Sequence, residues 1–592
     1  MSRILERAVD STAVLSLTHA GVHPVLARVL AARGIRNAES LDLSLRQLEP
    51  PVSLLDIGKA SERLAQAIVA GERVAIVGDY DSDGGTATAL LMQFIRLCGG
   101  NAFFLIPDRV RQGYGLSPAL VDEAHEQGAD LIITVDNGIS AMAGVAAAHQ
   151  RRIPVIVTDH HLPGETIPDA FAIVNPNQPG CVFPWKSTCG VGVAFYLAAA
   201  TRRHLVQHLG QPEPQWRMTE FLDLVALGTV ADVVPLERNN RILVQAGLQR
   251  ILHGASRPGI RALLQVAGVS EKHVTAHDLG FTLGPRINAA GRLDDMGIGV
   301  RLLLSEDPEE AESLARQLDA LNRERRSIEK GMLESAIEPV ERLMGLAENE
   351  DAIHPVRRPR VVCLLDPYGH EGVVGLVAGR IRERVSRPVL VFAPGEDGEW
   401  LKGSARSVDG VHIRDILAEV DTRYPGMIKA FGGHAMAAGL TIHREHFAGF
   451  QSALNEVAYR RIQDDQLAGV LWTDGALEGQ HIGFALAEAI AHSGPWGNGF
   501  PEPVFHGAFR VLESKRIGAD ENTLRLRLHV ADGQPPVTAI RFRHGEDADP
   551  QAGDFCRFAF FIHINRYKNQ ESVQIQITEF LDEDALADRG AA

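Results

Sequence analysis

Val74-Ala75-Ile76-Val77-Gly78-Asp79-Tyr80-Asp81-Ser82-Asp83-Gly84-Gly85 sets the architecture of this chain. An unbroken apolar run enters a turn with three aspartates at alternating positions, and Thr86-Ala87-Thr88-Ala89-Leu90-Leu91 leaves it in a helical pattern. Continuous apolar strands alternating with helices belong to parallel sheets covered on both faces. The same unit recurs downstream: Leu131-Ile132-Ile133-Thr134-Val135 runs into Asp136-Asn137-Gly138, and Val155-Ile156-Val157-Thr158 into Asp159-His160-His161. The repeat is expected to continue to about Asp232, the residue that ends Ala226-Leu227-Gly228-Thr229-Val230-Ala231. Ligands of open parallel sheets collect outside the carboxyl ends of the strands, and Asp79, Asp136 and Asp159 fall there.

Carboxylates crowded on one turn repel each other, and in a partly buried site they stay ionised together only around cations. Taken singly, an Asp after a strand is a helix cap and a lone His is structural. The DxDxDG pattern also opens a calcium loop, but the bidentate Glu that closes such a loop would fall at Leu90, and the flanks here are strand and helix. Pooled, the turns offer oxygen donors and imidazole without a thiolate, which favours Mn²⁺ or Mg²⁺ over Zn²⁺. So many carboxylates suggest two ions roughly 3.5–4 Å apart with one bridging Asp.

Away from these turns, the first 50 residues read as mixed helix and loop ending at Glu49-Pro50-Pro51. From Asp307 to about Ala336 a charged segment opens on Pro308, which suits a first helical turn. Leu314, Leu318, Leu321, Ile328 and Met332 give it one apolar stripe, so a long connecting helix is expected. A second α/β pattern starts at Val361-Val362-Cys363-Leu364-Leu365 and runs to about Glu456. Beyond it the period changes to two. Leu524, Leu526, Leu528 and Val530 alternate with Arg525, Arg527 and His529, and Val573, Ile575 and Ile577 with Gln574 and Gln576. Half-buried antiparallel strands closing into a small β-barrel fit that pattern.

The chain has 592 residues, and its 59 Lys+Arg against 75 Asp+Glu leave a net charge of −16. At roughly 150 residues per domain this is about three or four domains. The 45% hydrophobic and 23% charged composition is that of a globular protein. The net charge argues against nonspecific coating of nucleic acid but leaves room for a local basic groove. Five scattered cysteines without a CxxC pair exclude a disulfide scaffold and a zinc ribbon and suit a reducing cytoplasm. No apolar run is long enough for a membrane helix, and Met1-Ser2-Arg3-Ile4-Leu5-Glu6-Arg7 is charged rather than signal-like.

The four aspartate-bearing motifs, in their order, resemble those of the DHH phosphoesterase superfamily. Within it the chain is similar to the RecJ family of single-strand-specific 5′→3′ DNA exonucleases. Further segments carry that narrower likeness: Arg109 with Gly113-Tyr114-Gly115-Leu116, Gly284-Pro285-Arg286-Ile287-Asn288-Ala289-Ala290-Gly291-Arg292, Leu321-Asn322-Arg323-Glu324-Arg325-Arg326, His370-Glu371-Gly372-Val373-Val374-Gly375 and Gly432-Gly433-His434-Ala435-Met436-Ala437-Ala438-Gly439. Ser82, Gly369 and Gly379 depart from the expected small apolar residue, aromatic and Ser, and none is a ligand position. The implied fold class is α/β: a parallel-sheet DHH domain joined by a long helix to a second α/β domain, with an OB-like β-barrel. The expected boundaries are 1–50 for the N-terminal segment, 51–305 for the DHH catalytic domain and 306–345 for the connecting helix. They are 346–462 for the DHH-associated domain, 463–580 for the OB-like domain and 581–592 for an acidic tail.

The resemblance implies that two divalent ions activate a water that attacks a phosphodiester, in DNA repair and recombination. It assigns Asp79, Asp81, Asp83, Asp136, His160 and Asp232 as ligands, with Asp136 as the expected bridge. Asp159 is expected to orient an imidazole, and His161 to face the scissile phosphate or be a ligand itself. Arg109, Arg286, Ser404 and Arg406 match segments that hold a 5′-terminal phosphate, Arg292 being able to replace Arg286. Gly432, Gly433 and His434 match the substrate loop of the associated domain, where His434 would contact the phosphate. On the barrel, Arg525, Arg527, Arg541, Arg543 and Arg566 with Tyr567, Phe542 and Phe558 suit single-strand binding, with some of the aromatics in the core. A single-strand-binding protein and a DNA helicase are the expected partners, and a cytoplasmic monomer the expected state. The alternatives are a DHH phosphodiesterase acting on short oligonucleotides or cyclic dinucleotides, and a metal-free binding scaffold. The first is generally shorter and lacks a basic barrel, and the second should show gaps among the acidic ligands.

Overall fold

The computed structural model describes residues 3–107, 115–345, 358–395, 397–467, 469–518, 521–545, 548–567 and 570–581. Two compact units emerge: residues 320–471 with the first five residues, and residues 6–319 together with residue 472 onward.

The larger unit is built on five parallel strands in the spatial order Asn101–Leu105, Arg73–Val77, Leu131–Val135, Val155–Thr158 and Ala172–Val174. The residues of Leu131–Val135 and Val155–Thr158 are all buried, as a sheet covered on both faces requires. Arg73–Val77 is joined to the next strand in sequence on one side and to the following one, Leu131–Val135, on the other. The order of the sheet therefore reverses between the strands that deliver Asp79 and Asp136, and such a switch point opens a crevice for ligands.

The expected repeat stops sooner than its sequence suggests. No helix separates Thr158 from Ala172, where Pro163 and Pro168 remove backbone donors. From Gly190 to Leu304 the regular elements are helices, Gly190–Gln207, Leu222–Ala231, Arg238–Leu252 and Gly284–Leu293 among them. Asp232 thus follows a helix rather than a strand, at the C-cap of Leu222–Ala231. That helix is buried from Leu222 to Thr229, so it is apolar on every side and its sequence carries no 3.6-residue period.

Trp472 onward belongs to the same unit and closes a five-stranded barrel: Phe505–Ile517, Thr523–His529, Val537–Phe542, Gln570–Phe580 and Phe555–Tyr567. Leu524, Leu526, Leu528 and Ile575 are fully buried inside it, which is the alternation expected. The two pieces of the unit are tied by Leu236 N–H donating to Asn498 O at 2.7 Å and Asn498 Nδ2 donating to Val233 O at 2.7 Å.

The smaller unit carries a mixed sheet in the order Ile428–Gly433, Ala437–His443, Trp400–Arg406, Val389–Pro394 and Val362–Leu365, of which the last two are parallel. The helix Pro308–Met344 begins in one unit and ends in the other. Of its expected stripe, Leu318 and Met332 are buried while Leu314, Leu321 and Ile328 are half-buried. The buried row includes Ala311, Ala315, Asn322 and Arg325, small or polar residues that a search for large apolar side chains passes over.

Candidate metal centre

The turn after Arg73–Val77 is shaped by its own aspartates. Asp81 is the N-cap of Ser82–Leu97, and its Oδ1 accepts from the N–H groups of Asp83 at 2.9 Å and Gly84 at 3.0 Å. Asp79 Oδ1 accepts from Tyr80 N–H at 2.7 Å. Gly84 is required because a Cβ there would stand 2.6 Å from Cβ of Asp79. Asp83 is wholly buried, and its two oxygens accept from Gly190 N–H at 2.6 Å and Val191 N–H at 2.8 Å, at the start of Gly190–Gln207. A helix N-terminus favours a carboxylate there.

Asp136 takes a left-handed backbone with φ 61°, which turns the chain sharply off its strand. His160 Nε2 lies 3.1 Å from Asp136 Oδ1, 3.5 Å from Asp232 Oδ2 and 3.9 Å from Asp83 Oδ2. Asp159 points elsewhere: its Oδ1 lies 2.7 Å from His161 Nδ1 and its Oδ2 accepts from Ile139 N–H at 2.9 Å. The imidazole it orients is therefore that of His161.

Donor atoms of Asp79, Asp81 and Asp136 lie within 4.8 Å of one another, as do those of Asp83, His160 and Asp232, and those of Asp136, His160 and His161. All six expected ligands belong to these groups, and Asp136 belongs to two of them. Neighbouring His160 and His161 are both in the third group, with ring centroids 4.5 Å apart.

The electrostatics fit cations. Burial and the charge of Asp81 raise Asp79 well above the usual carboxylate value and push Asp83 up to about 7. Burial and the charges of the neighbouring aspartates likewise raise Asp136 and Asp232. Asp159 behaves oppositely: burial would raise it, but the hydrogen bond and charge of His161 outweigh that and hold it low. His161 is lowered by burial, yet its bond to Asp159 and the charges of Asp159, Asp79 and Asp81 bring it to about 9. Buried carboxylates that cannot all ionise alone, with an imidazole among them and no thiolate, form a donor set that Mn²⁺ or Mg²⁺ satisfies.

Sequence reasoning missed the supports. Asn288 Oδ1 accepts from both the N–H and the Oγ of Ser82 at 2.7 Å. Asn177 Nδ2 donates to His160 O at 2.6 Å and Asn175 Nδ2 to His161 O at 3.0 Å, fixing the histidine turn. A Cβ on Gly190 would stand 2.5 Å from Cβ of Asp136. The Gly190-Val191-Gly192 run was the available signal, since glycine at a helix start marks close backbone approach.

The other expected site residues differ in their surroundings. Arg286 is buried, with Nε donating to Asp319 Oδ1 at 3.0 Å and Nη1 to Thr282 O at 2.7 Å. Arg292 is half-buried. Arg109 and the Gly113-Tyr114 part of its motif lie outside the described residues. Arg525 donates to Glu513 at 3.0 Å and Arg566 to Glu571 at 2.8 Å, whereas Arg527 is exposed. Phe558 is fully buried in the barrel, Phe542 is 58% exposed, and the side chain of Tyr567 is outside the described residues.

In the smaller unit, Arg406 Nη1 donates to Ser404 Oγ at 2.9 Å, and a Cβ on Gly375 would stand 2.7 Å from Arg406 Nη2. The pair thus sits against the first turn of Val374–Val385. His434 is exposed and follows Gly433, whose φ of 138° only glycine adopts readily, at the tip of the hairpin Ile428–Gly433/Ala437–His443. Gly432 has open space where a Cβ would stand.

A parallel sheet with acidic turns at its switch point, an associated α/β domain and a five-stranded barrel define a phosphoesterase of the DHH class. Residues 73–229 match the model described as "DHH family, N-terminal domain", 359–460 that of the "DHHA1 domain" and 473–579 that of the "RecJ OB domain". The chain belongs to the RecJ family. It is 45% identical over 584 residues to the "Single-stranded-DNA-specific exonuclease RecJ" of Escherichia coli, covering 97% of this chain and 98% of that one. It is 34% identical to the Bacillus subtilis protein of the same description, covering 96% of this chain and 70% of that one. The crystal structure of RecJ in complex with Mn²⁺ from Thermus thermophilus superposes with a TM-score of 0.80 at 30% identity, covering 98% of this chain and 79% of that one. The corresponding Mg²⁺ complex gives a TM-score of 0.74 at 29% identity, with 98% and 78% covered. Among the described residues no helix is long and apolar enough to cross a membrane.

Proposed function

We infer that this chain is a divalent-metal-dependent exonuclease specific for single-stranded DNA, working 5′→3′ and releasing 5′-mononucleotides in DNA repair and recombination. The observation that carries this is the gathering of donor atoms from four separate turns into overlapping groups, with Asp136 and His160 each in two of them, in a chain that matches single-strand-specific exonucleases over nearly its full length. Asp79, Asp81, Asp83, Asp136, His160 and Asp232 would hold two Mn²⁺ or Mg²⁺ ions, with Asp136 shared. The ions supply Lewis acidity at the phosphate and lower the pKa of a water nucleophile.

The chain's own residues do the rest. Gly190 and Val191 N–H groups fix both oxygens of Asp83, so its rotamer is set before a ligand arrives. Asp159 holds Nδ1 of His161, which leaves the other ring nitrogen for the scissile phosphate or for an ion. His434 contacts the substrate, and Gly432, with open space in place of a side chain, leaves room for a phosphate beside the backbone, while Gly433 supplies the turn. Ser404 and Arg406, already joined to each other, read the 5′-phosphate, a role we also assign to Arg109 and Arg292. Arg527 and exposed Phe542 offer charge and a stacking face to the strand, and Arg525 contributes where it is released from Glu513.

A barrel of this kind has no use on a cyclic dinucleotide or short oligonucleotide, so the polymer is the better substrate. A single-strand-binding protein and a helicase supply the strand, and the enzyme acts as a cytoplasmic monomer. The test is digestion of end-labelled single- and double-stranded DNA with and without Mn²⁺. Mn²⁺-dependent loss of the 5′ label from single strands alone is expected, and equal attack on duplex or on dinucleotides overturns the reading.

A further inference from the structure

A cleft of about 340 Å³ opens at the start of the helix Arg238–Leu252, in the same unit as the acidic turns but lined by none of their residues. Its walls include Arg33, Glu237, Arg238, Arg241 and Phe500. Arg241 is the unusual member. It is 3% exposed, its guanidinium carbon lies 3.7 Å from the centroid of the Phe500 ring, and among the described residues its one conventional acceptor is Ser493 O, at 3.5 Å from Nη2. Its Nε has no acceptor and, among the described residues, no carboxylate pairs with it. Other buried arginines of this unit are paired: Arg33 with Asp474 at 2.5 Å and Arg257 with Asp223 at 2.9 Å. A buried cation is costly unless it has a counter-charge.

Two further features converge on the same space. Arg238 is half-buried and donates only long bonds, at 3.4–3.5 Å, to the carbonyls of Glu39 and Asp42 and to Gln47 Oε1, and among the described residues the one carboxylate that feels its charge is that of exposed Asp42, to which none of these bonds runs. The helix that begins at Arg238 receives no side-chain cap from Glu237, an exposed residue at the rim. Its first-turn N–H groups and positive dipole end therefore lack a side-chain cap, at a helix start whose residues Glu237 and Arg238 line the cleft. Burial and the charge of Arg238 lower the Arg241 guanidinium only to about 10, which leaves it cationic at neutral pH.

We propose that this cleft is a binding site for a phosphomonoester dianion, held between Arg238, Arg241 and the helix N-terminus. Guanidinium forks and backbone N–H groups together suit a tetrahedral, doubly charged oxyanion. The volume exceeds a lone phosphate and reaches the lower range of small-molecule sites, so inorganic phosphate and a free nucleotide are the two sources.

The test is calorimetric titration of the full chain in EDTA, in an Arg406→Ala background that removes the 5′-phosphate site assigned above. Orthophosphate, deoxyadenosine 5′-monophosphate and deoxyadenosine are the three probes. Saturable one-to-one binding of a phosphate-bearing probe, none by deoxyadenosine, and at least a tenfold loss on adding Arg238→Gln are expected. Orthophosphate binding as well as the nucleotide makes inorganic phosphate the ligand, and a nucleotide preference makes it the nucleotide. Arg238 is half-buried, so its variant stays interpretable if Arg241→Gln does not fold. Absence of saturable binding, or affinity unchanged by Arg238→Gln, overturns the proposal, and neither result bears on nuclease activity.

Discussion

The Nε2 atom of His160 stands 3.1 Å from Oδ1 of Asp136, so an imidazole and a carboxylate from neighbouring strands aim at one point. Asp136 also shares a second group with Asp79 and Asp81. One carboxylate shared by two sets of donors is what the proposed bridge requires.

Replacing Asp136 by Asn keeps its size and removes its charge. If the residue bridges two ions, transition-state stabilisation of several kcal/mol disappears, and hydrolysis of single strands should fall by about a thousandfold or more. Steady-state rates on a labelled oligonucleotide measure this, and near-normal turnover would remove the bridge.

Asp159→Asn acts one layer further out. It leaves every proposed ligand in place but loses the charge that holds His161, so a drop of about 10–100-fold in activity or metal affinity is expected. His161 should then titrate below its present value of about 9. Two-dimensional NMR of the histidine rings in metal-free protein reads that shift directly.

Gly190→Ala places a methyl group 2.5 Å from Cβ and 2.7 Å from Oδ1 of Asp136. Overpacking of this sort costs about 1–3 kcal/mol. A lower thermal midpoint together with weaker Mn²⁺ binding is expected, because the same methyl displaces a proposed ligand. An unchanged Mn²⁺ affinity would mean that Asp136 can move without consequence.

Acidification should weaken metal binding. Asp83 rises from 3.8 to about 7 in the folded metal-free chain, so the folded state holds more protons than the unfolded one across that interval. Metal-free stability contributed by this group is present below the unfolded value and is lost as pH rises towards the folded one. Divalent ions bind the deprotonated ligands, so the rise in thermal midpoint on adding Mn²⁺ should grow from about pH 5 to about pH 8. A rise independent of pH would argue against Asp83 as a ligand.

On the barrel, Phe542→Ala should weaken single-strand binding by about 1–3 kcal/mol, the usual contribution of a stacked base. Fluorescence anisotropy with a labelled single strand at fixed salt measures it. Phe558→Ala should instead lower thermal stability, since that ring is wholly buried.

Much of this was legible because the turns after the strands carry their chemistry in order. Asp79 and Asp136 follow apolar runs that leave little choice but buried strands. Asp232 was harder: its helix is apolar all round, and a continuous apolar segment has no period with which to tell helix from strand. The role of Gly190 depends on a contact across 54 residues of sequence (190 − 136), which local patterning does not encode. The pairing of Arg286 with Asp319 was not legible either, because Asp319 lies on a separate helix. The alternation of Arg525 and Arg527 gave the outward face of the barrel but not the carboxylate of Glu513 that occupies one of them.

Whether two ions lie close enough to share Asp136 decides the mechanism. Electron paramagnetic resonance of the purified chain loaded with Mn²⁺ measures this. The spectrum of a magnetically coupled pair, lost on Asp136→Asn, is expected. Signals of isolated Mn²⁺ only, or a coupled spectrum that survives the substitution unchanged, would refute a shared Asp136.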